Sequence, residues 1–423
     1  MCYCRFFKIV VLLHKVCKTF KLVMSMLTLD KIYHASYVLK NTIYRTDLIY
    51  APNISKKCNI FLKPENLQLT GSFKVRGSYY KISQLSEEEK EKGVIACSAG
   101  NHAQGVALAA TKNGIKSLIC LPDGAPISKV EATRNYGAEI CLVKGVYDDA
   151  YRRALELRDE YGYTFIHPFD DVDVIAGQAT IALEIIEQKD DIDAVVVPVG
   201  GGGLIAGVSF AIKSLNPKIK VYGVQSAGAP SMKVSVENKR IERLDSVSTI
   251  ADGIAVKEPG QNTFDLCSKY VDDIVTVTDD EVSTAILTML EGQKLITEGA
   301  GAVAVAAVMF DKVPVEGKNV VCIVSGGNID VNILDRVIKR GLMTAGRRAV
   351  LKLELLDKPG QLELVSHIIA ERGGNVVGVH HERTNANTDI NGCFLYVNLE
   401  TRNMEHTNSI KQALKDAGLT IWE

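Results

Sequence analysis

Five uninterrupted apolar runs punctuate the chain: Val94-Ile95-Ala96-Cys97, Ser117-Leu118-Ile119-Cys120, Ala194 to Val199, Val221-Tyr222-Gly223-Val224 and Val320 to Val324. Each is too short for a helix and does not alternate. Such runs predict strands covered on both faces, as in a parallel sheet, with helical stretches such as Ala179 to Gln188 between them. After Gly341-Leu342-Met343-Thr344-Ala345-Gly346 the period changes, and Leu351, Leu353 and Leu355 alternate with Lys352 and Glu354. That alternation predicts a strand with one buried face. A turn at Asp357-Lys358-Pro359-Gly360 follows, then a helix from Leu362 to Arg372 closed by Gly373-Gly374. Strands about 376–381 and 394–399, a helix from about Met404 to Ala417 and a short last strand complete a β-α-β-β-α-β order. The expected division is a catalytic region over 26–346 and a separate module over 347–423.

Composition narrows the partners. The 423 residues are 47% hydrophobic and 23% charged, an ordinary globular balance with room for two or three domains. Lys plus Arg number 49 against 50 Asp plus Glu, so there is no broad basic surface for nucleic acid or an acidic membrane. A small-molecule partner is expected instead. Ten cysteines are scattered without a C-x-x-C pair or a histidine-cysteine cluster, which suggests neither a metal site nor a disulfide framework. Reduced thiols in a cytoplasmic protein are expected. Residues 1–25 carry Arg5, Lys8, Lys15, Lys18 and Lys21 around the apolar run Ile9 to Leu13, too short to span a membrane. They read as a disordered extension or a misassigned start, with Met24 or Met26 the more natural beginning.

The chemistry is carried by Lys74, in Thr70-Gly71-Ser72-Phe73-Lys74-Val75-Arg76-Gly77, and by three glycine-containing loops. These are Ser98-Ala99-Gly100-Asn101-His102, Gly200-Gly201-Gly202-Gly203-Leu204 and Ser325-Gly326-Gly327-Asn328. A lysine can condense with an aldehyde, glycine N–H groups ahead of a helix can cradle a phosphate, and short polar loops can grip a carboxylate. Together they suit pyridoxal 5'-phosphate and an amino-acid substrate. A dinucleotide loop fits Gly200 to Gly203 poorly because no acidic ribose ligand presents itself; a simple tight turn stays open.

At these residues, from about Met26 to Gly346 and in the same order, the chain resembles the fold-type II pyridoxal-phosphate enzymes. Within them it is most similar to the threonine ammonia-lyases (threonine dehydratases), with serine racemases as relatives. The resemblance implies an α/β, tryptophan synthase β-like fold with two parallel-sheet subdomains, a smaller mobile one at about 71–165, and the cofactor between them. It implies that Lys74 carries the cofactor and removes the substrate's α-proton, and that Phe73 packs near the ring, although a plain core role suits Phe73 equally. Asn101 would bond the ring hydroxyl, or cap its helix, or both. Gly200, Gly201, Gly202, Gly203 and Leu204 would hold the phosphate and Ser325 would face the pyridine nitrogen. Ser98, Ala99, Gly100, Asn101 and His102 would receive the substrate.

Two departures separate the chain from the racemases. Ala99 stands where they place a second serine able to exchange a proton, and Gln225-Ser226-Ala227-Gly228-Ala229-Pro230-Ser231 lacks the carboxylates of their metal loop. No metal is therefore expected. The function implied is deamination of L-threonine to 2-oxobutanoate and ammonia, in isoleucine synthesis or threonine catabolism, with L-serine giving pyruvate. A serine dehydratase or racemase, and a non-catalytic amino-acid sensor, are the alternatives. Residues 348–423 resemble a single ACT domain, a module that binds small effectors; a plain oligomerisation module of the same fold stays open. A homo-oligomer is expected either way.

Overall fold

The computed structural model describes residues 26–383 and 390–422; the extension at 1–25 lies outside the described residues. The chain divides into two compact units, the first ending at Asp330 and the second beginning at Val331.

The described residues of the first unit form ten strands: β1 Ile49–Tyr50, β2 Asn59–Pro64, β3 Val94–Cys97, β4 Ser117–Pro122, β5 Glu139–Val143, β6 Thr164–Phe165, β7 Ala194–Pro198, β8 Lys220–Ser226, β9 Asp273–Val277 and β10 Asn319–Val324. They form a six-stranded sheet in the order β1-β2-β10-β7-β8-β9 and a four-stranded sheet in the order β5-β4-β3-β6. Apart from the antiparallel β1, every pairing is parallel. All five apolar runs are strands, and the reason is burial: every residue of β3 and β7 is buried. The helix Gly299–Met309 is apolar all round, as its position requires, with Gly299 to Val308 all buried.

One helix sets the geometry of everything that follows. Lys74–Ser83 begins at Lys74 and packs against the helices Asn101–Lys112 and Val172–Gln188. Its contact with Val172–Gln188 is backbone to backbone. A Cβ on Gly177 would lie 2.6 Å from Gly77 Cα, and one on Gly77 would lie 2.6 Å from the Val174 carbonyl oxygen. One residue before Gly77, the fully buried Arg76 is clamped by two carboxylates: Nε to Glu65 Oε2 at 2.7 Å, Nη2 to Glu65 Oε1 at 2.7 Å and Nη1 to Glu184 Oε1 at 2.6 Å. Lys63, also buried, reaches Glu184 Oε2 at 2.6 Å. Although burial opposes its charge, the two carboxylates hold Arg76 more firmly protonated than usual.

The second unit comprises the helix Val331–Thr344, β11 Arg348–Leu356, the helix Gln361–Glu371, β12 Asn375–Glu382, β13 Gly392–Glu400, the helix Met404–Asp416 and β14 Thr420–Trp422. Its sheet, in the order β12-β13-β11-β14, is antiparallel throughout. Leu351, Leu353 and Leu355 pack against Val365, Ile369, Ile410 and Leu414, which explains the alternation read from sequence. The unit starts earlier than residue 347 because Val331–Thr344 packs on β11. The change of period at 347 marks where its sheet begins. Among the described residues no helix is long and apolar enough to cross a membrane.

The Gly77–Gly177 contact generates a test in which two effects oppose each other. Alanine in a helix is favoured over glycine by about 1 kcal/mol, but a methyl 2.6 Å from backbone atoms must push the helices apart. Overpacking costs about 1–3 kcal/mol. Gly177→Ala should therefore lower the urea midpoint of the first unit, and an unchanged or raised midpoint would refute the close contact.

Candidate active site

Lys74 is placed by the loop before it. Phe73 N donates to the Ser325 carbonyl at 3.1 Å and Ser72 bridges to Gly326, so the start of the helix is tied to the end of β10. Lys74 Nζ donates to the Pro168 carbonyl at 2.8 Å and stands 5.3 Å from the Phe73 ring centroid. Burial brings its pKa down to about 8, with the nearby Glu298 partly opposing. The positive end of the helix acts in the same direction as burial. A substantial part of this amine is thus neutral near physiological pH, which an exposed lysine never is.

Pro168 leads to Phe169, and Phe169 joins Lys74 to the glycine loop. A Cβ on Gly201 would lie 2.5 Å from the Phe169 ring, and one on Gly203 would lie 2.9 Å from its backbone. Gly202 has φ +97°, and a Cβ there would meet Met232 Cε at 2.5 Å. Thr263 Oγ1 fixes the loop by donating to the Gly201 carbonyl at 2.6 Å. The loop runs from the end of β7 into the helix Gly203–Leu215, which has no side-chain cap. Its first-turn N–H groups lack intrahelical partners and point along the positive end of the helix dipole. That is a seat for an anion. The side chain of Leu204 is buried in the core.

Asn101 is the first residue of its helix, and Gly100 takes the cap position, so the side chain of Asn101 does not cap. It is used elsewhere. Asn101 Nδ2 donates to Glu298 Oε1 at 2.6 Å, and Asn328 Nδ2 donates to Asn101 Oδ1 at 2.8 Å and to the Thr70 carbonyl at 2.7 Å. Glu298 fits because Gly326 has no side chain: a Cβ there would lie 2.4 Å from Glu298 Oε1. Burial, reinforced by Asp252, raises the Glu298 pKa to about 7, against the opposing pull of Lys129, the Asn101 bond and Lys74. Sequence reading passed over Glu298. The available signal was a single carboxylate heading the helix Gly299–Met309, which is otherwise wholly apolar and small.

The remaining residues fall on either side of this centre. Ser325 is buried at the end of β10, with Oγ 3.3 Å from the Ala300 carbonyl. Ser98 Oγ accepts from Gly100 N at 3.2 Å, and Ala99 is half-buried beside it. No atom lies within 4 Å of a Cβ position on Gly100, so the loop faces open space there. The His102 side chain is buried. Its Nε2 is engaged with the Ile166 carbonyl at 2.8 Å. Burial, helped by Lys74, lowers its pKa to about 3 and keeps it neutral.

The residues fit an aldehyde cofactor that bears a phosphate. Beside Lys74, the hydroxyls of Thr70 and Ser72 are buried without hydrogen-bond partners. Such groups cost about 1–3 kcal/mol each when left unpaired, so they are at hand for a polar ligand.

The chain is similar to known proteins over most of its length. A family model described as pyridoxal-phosphate dependent enzyme matches residues 39–326. The L-threonine ammonia-lyase of Thermotoga maritima is 50% identical over 398 residues, covering 94% of this chain and 99% of that protein. The L-threonine ammonia-lyase of Geobacter sulfurreducens is 42% identical with the same coverage. Among solved structures, threonine deaminase isoform 2 from Solanum lycopersicum matches with a TM-score of 0.70 and 39% identity, over 73% of this chain and 88% of that one. Maize serine racemase matches with a TM-score of 0.71 and 34% identity, over 75% of this chain and 98% of that one.

Glu298 can be tested through its titration. Its pKa in the fold, about 7, lies above the value of about 4.3 expected in the unfolded chain. The fold therefore binds this proton more tightly, and the stabilising contribution is complete below the unfolded value and lost as pH rises toward 7. Urea unfolding of the cofactor-free protein should show wild type losing roughly 2–4 kcal/mol relative to Glu298→Gln between about pH 4.5 and pH 7. A difference that does not vary with pH would mean that Glu298 titrates normally.

Proposed function

The chain belongs to the family of pyridoxal-phosphate dependent enzymes, and from that premise we propose that it deaminates L-threonine to 2-oxobutanoate and ammonia. The observation that carries this reading is the Lys74 amine, bonded to the Pro168 carbonyl, within the field of Glu298 and lowered in pKa by desolvation. L-serine, one methyl smaller, reacts to give pyruvate, because a methyl in a pocket discriminates by only ~1–3 kcal/mol.

When bound, pyridoxal phosphate supplies an aldehyde that condenses with amines and a ring that withdraws electrons. The chain supplies position and proton transfer. The N–H groups of Gly200 to Gly203 would hold the phosphate, with Leu204 following them into the helix. Asn101, fixed by Glu298 and Asn328, would meet the ring hydroxyl, and Phe73 would pack beside the ring. Lys74 would hold the aldehyde, and its Nζ is the atom that would take the substrate's α-proton; a pKa near 8 suits it to accept and return a proton at neutral pH. Ser98 and the open face above Gly100 receive the substrate carboxylate. Ser325, a neutral hydroxyl, leaves the pyridine nitrogen less charged than a carboxylate would, which moderates electron withdrawal.

Ala99 decides between elimination and inversion. Its methyl has no proton to exchange, so a substrate that loses its α-proton to Lys74 has no second acid beside it at that position. Loss of the β-hydroxyl is then the productive outcome. Intact Lys74, Asn101 and Ser325 also speak against a purely non-catalytic sensor.

In the second unit, a cleft of about 270 Å³ is lined by Asp357, Lys358, Pro359, Gly360, Gln361, His381 and Arg383 among others. Its size and mixed charge support a small amino-acid effector. Exposed Leu362, Leu364, Val377 and Val379 support a homo-oligomer, since apolar groups clustered on one unit favour burial by a partner. Cys58, Cys97, Cys120, Cys141, Cys267, Cys322 and Cys393 are all free thiols, as a cytoplasmic setting would keep them.

Two experiments address these readings. Borohydride reduction of the loaded protein should fix the pyridoxyl group on the peptide containing Lys74, and Lys74→Ala should lose nearly all turnover while keeping its fold. Label on another lysine, or D-serine accumulating during incubation with L-serine, would overturn the assignment. Separately, a chain ending at Asp330 should still form 2-oxobutanoate but lose any response to added amino acids, because an effector acts only through its own site. An equal response in the shortened chain would place the effector site in the first unit.

A further inference from the structure

The second unit brings together three side chains that are remote in sequence. Cys393 lies opposite Leu355 in the β11–β13 register, and His381 lies opposite Leu395 in the β12–β13 register. His381 is therefore the diagonal neighbour of Cys393 on one side. Asp357, two residues beyond Leu355 and anchored by its N–H to the Asn391 carbonyl at 2.8 Å, is the diagonal neighbour on the other. Diagonal residues share a face of the sheet, so all three side chains converge. His381 Nε2 lies 2.8 Å from Cys393 Sγ, and ligating atoms of all three residues fall within 4.8 Å of one another.

We propose that Asp357, His381 and Cys393 form a site for a borderline divalent cation, with Zn²⁺ the best match. A thiolate, an imidazole and a carboxylate are the donor set that zinc takes, whereas magnesium and calcium prefer oxygen alone. Donors on one tetrahedral zinc stand roughly 3.3–3.6 Å apart, given bond lengths near 2.0–2.3 Å. Sub-ångström movements of side chains would reach that spacing. Two of the ligands, Asp357 and His381, line the cleft of this unit, so the fourth coordination position opens into it.

The charges agree with the assignment. Burial raises the Cys393 pKa, so without a cation the thiol keeps its proton. Binding would release that proton and place two negative ligands, the Cys393 thiolate and the Asp357 carboxylate, on a doubly charged ion, so that ion and ligands together carry no net charge. Arg383 Nε lies 3.2 Å from Asp357 Oδ2, but its side chain is 65% exposed and can turn to solvent, and the carboxylate has a second oxygen. The site does not depend on the deaminase reading, because none of its residues belongs to the first unit.

The full-length holoprotein, stripped of metal with a chelator, can be titrated with Co²⁺, whose visible bands lie beyond the absorption of the cofactor. The expected result is one Co²⁺ per chain with thiolate-to-metal absorption, displaced by one equivalent of Zn²⁺. Cys393→Ser should abolish the thiolate band and weaken binding by more than the roughly 10–100-fold that follows loss of an outer partner. His381→Ala, at an exposed position where folding is not at risk, should weaken binding to a similar degree, and threonine turnover should be unchanged in Cys393→Ser. Absence of stoichiometric binding in the wild type, or a spectrum and affinity retained in either variant, would overturn the site.

Discussion

The buried guanidinium of Arg76 is the constraint on which the active site rests. Taking a full charge out of water costs several kcal/mol even after relaxation, and only good geometry on all sides recovers it. Here Glu65 and Glu184 provide that geometry, one from the segment after β2 and one from the helix Val172–Gln188. The helix carrying Lys74 cannot rotate or slide without leaving one of three buried charges unpaired. Replacing one partner alone is the costly change, about 3–5 kcal/mol for such a pair. The position of Lys74, two residues from Arg76, is thus set by electrostatics at some distance from the chemistry.

A second level of control lies in charge near neutrality. Glu298 is buried and Lys74 partly so, and loss of solvent around each moves their pKa values toward each other, to about 8 and about 7. Each favours the charged form of the other only weakly against the cost of burial. Each group therefore lies where a modest change in its surroundings alters its charge.

Much of this was legible in the sequence, and the exceptions have physical causes. The buried strands β3, β4, β7, β8 and β10 announced themselves because both faces are covered and the apolar run is unbroken. The edge strand β5, partly exposed with the pattern Glu139-Ile140-Cys141-Leu142-Val143, and the two-residue β1 and β6 carry no such run. Lys74 and the glycine loops were visible because their chemistry is local to a few consecutive residues. Glu298 was not, since a lone carboxylate says nothing of its neighbours until Asn101 and Gly326 are folded against it. Asp357, His381 and Cys393 are further still from legibility: strand register, not spacing along the chain, makes them neighbours. Helical spacing over Val331–Thr344 is plain in Leu334, Val337, Ile338 and Leu342, but that this helix belongs with the second unit follows from its packing on β11, which no local pattern announces.

The glycine loop answers to two demands at once. Gly201, Gly202 and Gly203 are fixed as glycines by the bulk of Phe169, Met232 and Thr263, independently of anything an anion requires. A side chain added at any of the three would collide with the protein's own interior whether or not an anion is bound. Relief would require a second change, in Phe169, Met232 or Thr263, so this stretch and the interior behind it can alter only together.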